Sequence, residues 1–113
     1  MAKTTRASEC TTTLEAHLNP ELFKAMGDET RLALIARLAS AAGPLTVTEA
    51  AECCGVHLSG VSRHLAALKN AGLIAAQKEG REVRYTLDCG ALASALRDLA
   101  DALEACKAGC CDG

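Results

Sequence analysis

Tryptophan is absent from this 113-residue chain, and its only aromatic rings of the Phe, Tyr and Trp class are Phe23 and Tyr85. A platform for stacking unpaired bases needs several such rings, so the composition argues against a single-strand binder. The longest uninterrupted apolar run, Leu32 to Ala36, falls far short of the roughly 18 residues of a membrane span. Residues 1–10 are polar and lack the apolar centre of a secretory signal, which predicts a cytoplasmic protein with no membrane partner. No histidine follows His64. There is no Cys-x-x-Cys motif, and no cysteine sits in a loop of glycines and arginine suited to phosphate. A thiol-dependent reductase needs one or the other, so an enzyme is not expected.

Cysteine, by contrast, is in excess. The chain has seven, an odd number, with no export signal before them. Reduced thiols for metal or redox chemistry fit that pattern better than a disulfide framework. Half of the residues are apolar and 23% are charged, which predicts one folded domain with a modest core.

The net charge of −2 is unevenly spread. From Leu58 to Thr86 the basic residues Arg63, Lys69, Lys78, Arg81 and Arg84 oppose only Glu79 and Glu82, a local +3 against −5 elsewhere. One positive edge in a negative surround suits contact with phosphates.

Asn19-Pro20 reads as the start of a helix through Glu21 to Met26, ended by Gly27. Asp28 caps a second helix with an apolar body from Leu32 to Ala42, broken by Gly43-Pro44. Thr48 is expected to cap a third, from Glu49 to about Cys54, and a fourth runs from about Ser59 to Ala71 and stops at Gly72. On the fourth, Leu58, Val61, Leu65 and Leu68 form an inward stripe. Ser59, Ser62, Arg63, Ala66, Lys69 and Asn70 form a slim, hydrogen-bonding opposite face, which makes the last two helices a helix-turn-helix pair for the groove of double-stranded DNA. Leu73 to Lys78 and Arg81 to Leu87 read as a hairpin about Glu79-Gly80, with Lys78 and Arg81 at its tip, the position of a basic wing. A last helix, from about Gly90, carries Leu92, Leu96, Leu99, Leu103, Cys106 and Cys110 at spacings of 4, 3, 4, 3 and 4. That seam implies a partner helix, from the same chain or from a second subunit, and a symmetric dimer is favoured.

Four segments together carry a family likeness. Phe23-Lys24-Ala25-Met26-Gly27-Asp28-Glu29-Thr30-Arg31, Val61-Ser62-Arg63-His64-Leu65-Ala66-Ala67-Leu68, Ala71-Gly72-Leu73-Ile74 and Glu79-Gly80-Arg81-Glu82-Val83-Arg84-Tyr85 resemble the ArsR/SmtB family of metal-responsive repressors, in order and over about residues 20 to 105. The resemblance implies a mostly α fold with a small β-hairpin, a homodimeric winged helix-turn-helix on operator DNA that leaves when an inducer binds. It places DNA contacts at Ser59, Ser62, Arg63 and His64 on the fourth helix and at Lys78, Arg81 and Arg84 on the wing; Lys69, on the same open face, is expected to meet phosphate. It also divides the chain into an N-terminal arm (residues 1–19), the winged-helix and dimerisation domain (residues 20–105) and a Cys-rich tail (residues 106–113).

Members that sense zinc, cobalt or nickel resemble one another in using His and Asp or Glu on the last helix, and that pattern is missing here. Thiolates select soft ions, so arsenite or antimonite is favoured as inducer, with cadmium, lead and mercury as alternatives. The Cys-Val-Cys pattern of arsenic sensors falls on Thr46, Val47 and Thr48, and this chain's thiols come later, at Cys53 and Cys54. The leading ligand set joins Cys53 or Cys54 to Cys110 and Cys111, with Cys106 one turn before Cys110. A site confined to the tail is the second choice, and Cys10 is a further donor. Cys89 reads as a small buried residue, and His57 as a solvent or phosphate contact. A repressor released by peroxide through thiol oxidation is the rival reading, and a metal-buffering protein a third.

Overall fold

The computed structural model describes residues 13–52, 55 and 57–106. Helix α1 covers residues 13–17, followed by α2 (Pro20–Met26), α3 (Glu29–Ser40), β1 (Leu45–Thr46), α4 (Val47–Ala51), α5 (Leu58–Asn70), β2 (Ile74–Glu79), β3 (Glu82–Leu87) and α6 (Cys89–Ala105). The chain packs as two units. One is Glu21–Cys89, and the other comprises the described residues 13–20 and 90–106.

In the first unit the inward stripe of α5 is the organising element. Val61, Leu65 and Leu68 are each 0% exposed, as is Leu34 of α3. Leu22, Ala25, Leu38, Ala50, Leu73, Ile74 and Leu87 complete the core around them. Leu58 departs from expectation at 49% exposure, because it is the first residue of α5 and precedes the buried part of the stripe.

Helix ends follow from local chemistry. Asp28 lies in the extended region and its side chain accepts the Arg31 N–H at 3.0 Å, which starts α3. That helix ends at Ser40, two residues before the expected Ala42, with Ala41 already extended toward β1. Past the end of α5, the Leu73 N–H donates to the Leu68 carbonyl at 3.0 Å and the Gly72 N–H to the Lys69 carbonyl at 2.9 Å. This Schellman pair needs the left-handed backbone that Gly72 supplies at φ +80, and it turns the chain into β2.

Three details correct the sequence reading. The sheet has three antiparallel strands in the order β1-β3-β2, since Leu45 and Thr46 pair with Tyr85 and Arg84. Two residues are too few to show an alternating pattern. Second, α4 is capped by Thr46 rather than Thr48. The Glu49 carboxylate accepts the Thr46 N–H at 2.9 Å while the Thr46 hydroxyl accepts the Glu49 N–H at 3.3 Å, a full capping box that Thr46-Val47-Thr48-Glu49 spells out. Third, Glu79 pairs with Glu82, so the wing turns on Gly80-Arg81, one residue later than expected. Gly80 takes φ +64 at the first central position and Arg81 stays at negative φ, as a II′ hairpin requires.

In the second unit, Leu92, Ala95, Leu99 and Ala102 of α6, and Cys106 just after it, are covered to varying degrees, and a shallow cleft beside Ala102 and Ala105 is lined by Thr13 and His17 of α1. Leu96 and Leu103 are 39% and 49% exposed. The expected seam is therefore split into a covered stripe and an open one. No helix among the described residues is long and apolar enough to cross a membrane.

Truncating the core and truncating the cap should separate cleanly by urea denaturation. Leu65→Ala is expected to cost about 2–5 kcal/mol, and Thr46→Ala about 1 kcal/mol. Thr48→Ala should stay within about 0.5 kcal/mol of the parent.

Candidate nucleic-acid interface

With Val61, Leu65 and Leu68 buried, the rotation of α5 about its axis is set, and Ser59, Ser62, Arg63, Ala66, Lys69 and Asn70 are all exposed. The face holds no carboxylate. Small side chains at Ser59, Ser62 and Ala66 let the helix backbone approach a groove floor, and Arg63 offers a planar fork for base edges or phosphates. Lys78 and Arg81 are exposed on the wing, Arg81 in the turn itself. Among the described residues no carboxylate pairs with Arg63, Lys69, Lys78 or Arg81, so these four charges face solvent.

Two expected members of the site have partners within the protein. Arg84 lies 3.1 Å from Glu79, 3.4 Å from Glu82 and 3.7 Å from Glu49. Alternation along β3 puts Glu82 and Arg84 on one face, and cross-strand pairing adds Glu79 to it. The guanidinium thus joins the wing to the cap of α4. His64, also expected on the DNA side, is only partly exposed, and its Nδ1 accepts from Arg31 Nη1 at 3.2 Å. Helical position 64 lies at the boundary between the stripe and the open face, and spacing alone does not say which way its ring turns. His57 is exposed at the N-cap of α5 and makes no side-chain cap bond.

Two carboxylates carry perturbed acidities. The Asp28 carboxyl is held below its ordinary range chiefly by the Arg31 N–H, against an opposing desolvation. Glu49 is lowered chiefly by the Thr46 N–H, then by the Thr46 hydroxyl, with Arg84 and Arg37 adding positive charge nearby. Both sit at helix caps, where ionised oxygens meet free N–H groups.

The candidate thiols divide sharply. Cys10, Cys53, Cys54, Cys110 and Cys111 lie outside the described residues. Cys106 is buried and its sulfur is bonded in a disulfide, so in this state it offers no thiolate. Cys89, expected to be buried, is an exposed free thiol at the first residue of α6. Among the described residues, no three His, Cys, Asp or Glu side chains are placed to hold a metal ion.

A helix pair with an exposed cationic face, followed by a basic two-stranded wing, defines a winged helix-turn-helix protein. Residues 26–76 match a family described as a helix-turn-helix domain. Over 67 residues the chain is 39% identical to the arsenical resistance operon repressor of Escherichia coli (strain K12), covering 59% of this chain and 56% of that one. The crystal structure of the ArsR family transcriptional regulator RHA00566 superposes with a TM-score of 0.65 at 31% identity, over 78% of this chain and 93% of that one. The homodimeric winged helix-turn-helix DNA-binding domain of Mb0332 from Mycobacterium bovis gives a TM-score of 0.60 at 28% identity, over 84% and 88%. The chain belongs to the ArsR family of winged helix-turn-helix transcriptional regulators, a family of regulators and not of enzymes. The matches to the first curated relatives span 52%, 56% and 64% of their lengths.

The cap carboxylates contribute to the acid limb of stability. Their folded pKa values lie below the unfolded ones, so their contribution is complete above about pH 4.5 and is lost as pH falls through the folded values. Urea midpoints should therefore decline on acidification, and Asp28→Asn combined with Glu49→Gln should flatten that decline. An unchanged slope in the double variant would contradict the assignment.

Proposed function

We propose that the protein is a homodimeric repressor that holds operator DNA through α5 and the wing and is released by a thiophilic ion on its cysteines. The observation that carries this reading is the exposed Ser59, Ser62, Arg63, Ala66 and Lys69 face, opposite the fully buried Val61, Leu65 and Leu68. Ser62 and Arg63 read base edges, while Lys69, Lys78 and Arg81 meet phosphates. The exposed Leu96 and Leu103 stripe of α6 supplies an apolar strip for the second subunit, and the homodimeric relative supports that pairing.

Arsenite or antimonite is the favoured inducer, with cadmium, lead or mercury as alternatives. The support is donor chemistry, seven cysteines in a chain with no histidine beyond His64, together with the likeness to an arsenical repressor. Cys53 or Cys54 with Cys110 and Cys111 is the preferred ligand set, and Cys106 joins it only when reduced. The disulfide at Cys106 favours one second reading, release by thiol oxidation. The domain division proposed for residues 1–19, 20–105 and 106–113 goes with this reading, the tail serving the ion.

Fluorescence anisotropy of the reduced protein on its own upstream DNA tests the proposal. Arg63→Ala should weaken operator binding by about 10- to 100-fold, and Lys78→Ala should lower the salt slope by about one. Arsenite should release the parent, and Cys53→Ser with Cys54→Ser should abolish the release. Operator must weaken ion binding by the same factor by which the ion weakens operator binding. Release by peroxide but by no thiophilic ion would establish the oxidation reading instead.

A further inference from the structure

One guanidinium joins three helices of the DNA-reading unit. Arg31, in the first turn of α3, turns its side chain back over the end of α2. There Nε donates to the Ala25 carbonyl at 2.6 Å and Nη2 to the Lys24 carbonyl at 2.8 Å. These are last-turn carbonyls of the kind a helix leaves without internal donors. The remaining nitrogen, Nη1, donates to His64 Nδ1 on α5 at 3.2 Å.

The chemistry of this contact assigns the imidazole. A guanidinium only donates, so Nδ1 must present its lone pair and the ring proton sits on Nε2. Asp28 Oδ2 is 3.8 Å from the same Nδ1, beyond hydrogen-bond reach, and is occupied by the Arg31 N–H at 3.0 Å. The inward edge of His64 is thus committed to α3 and, through Arg31, to α2. Its neighbours in sequence mark the boundary it occupies: Arg63 is exposed and Leu65 is fully buried.

We propose that His64 is a positioning residue for operator recognition and not a DNA contact. Apolar burial of Val61, Leu65 and Leu68 fixes which face of α5 is outward, but such contacts are non-directional and tolerate small slides along the helix axis. The Arg31–His64 hydrogen bond is directional, and it pins the middle of α5 against the α2–α3 corner. Bidentate readout of a base edge depends on that placement, whereas phosphate attraction does not. Loss of the bond should therefore degrade discrimination between operator and unrelated DNA while sparing non-specific affinity. This inference rests on the DNA-reading function proposed above.

Two conservative variants separate positioning from contact. His64→Asn places an amide oxygen near the position of Nδ1 and leaves nothing at Nε2. His64→Gln reaches toward the Nε2 position and offers no acceptor at Nδ1. Anisotropy titrations would use the upstream operator duplex and a scrambled duplex of equal length, each across a series of KCl concentrations, with His64→Ala as reference. His64→Asn is expected to keep the operator-to-scrambled ratio within about threefold of the parent, and His64→Gln and His64→Ala to lose about tenfold or more. The salt slope should be the same in all four proteins. Retention by His64→Gln with loss in His64→Asn, or a slope lowered by about one in the variants, would make His64 a DNA contact and overturn the inference. A parental ratio kept by all three variants would overturn it as well. A parent with no preference for the operator duplex would sink the DNA-reading function itself, and the inference with it.

Discussion

The burial of three side chains on one helix governs what this protein presents to its surroundings. Val61, Leu65 and Leu68 recur at four- and three-residue spacing and are completely covered, so α5 cannot rotate without exposing leucine to water. Everything on the opposite face is then determined by helical geometry: two serines, an alanine, an arginine, a lysine and an asparagine, with no acid among them. The Schellman turn at Gly72 carries that constraint into the sheet, because it fixes where β2 begins relative to the end of α5. The wing, with Lys78 and Arg81, is in this way referenced to the same helix.

Polar joints sharpen what apolar packing leaves loose. Glu49 closes the cap of α4 and lies beside Arg84, whose guanidinium also meets Glu79 and Glu82 across the wing. Arg31 does the equivalent on the other side of the unit, tying the end of α2 to α5. These contacts are partly exposed and contribute modest stability. Their worth lies in direction, since each sets the angle at which one element leaves another. Arg31 and Arg84 thus flank the exposed face of α5 on either side, each engaged with partners in the unit.

Much of this was legible in the residues themselves. The spacing of Val61, Leu65 and Leu68 announces the buried stripe, Asp28 and Gly72 announce helix ends, and Gly80 announces the wing turn. What escaped has physical causes. Strand β1 is two residues long and owes its existence to pairing with Tyr85 and Arg84, a partner distant in sequence. Both Thr46 and Thr48 offer a capping hydroxyl, and only Thr46 has the reciprocal partner, Glu49, three residues on. Arg84 and His64 carry the right chemistry for DNA, and only the positions of Glu79, Glu49 and Arg31 in space show that they are already engaged. The regular spacing along α6 implies one seam, whereas exposure of Leu96 and Leu103 divides it in two. Cysteine positions allow a soft-ion site to be argued from donor chemistry, but not to be drawn.

If the phase of α5 dictates the DNA-facing surface, the most direct test is to map that surface chemically. Operator duplex carrying photoreactive thymine analogues in the major groove would be irradiated in complex with the reduced protein, and the attached peptides sequenced by mass spectrometry. Attachment at Ser59, Ser62, Arg63 or Ala66 is the result required by a fully covered stripe on the far side. Attachment confined to α3 or α6, with α5 untouched, would contradict the account at its foundation.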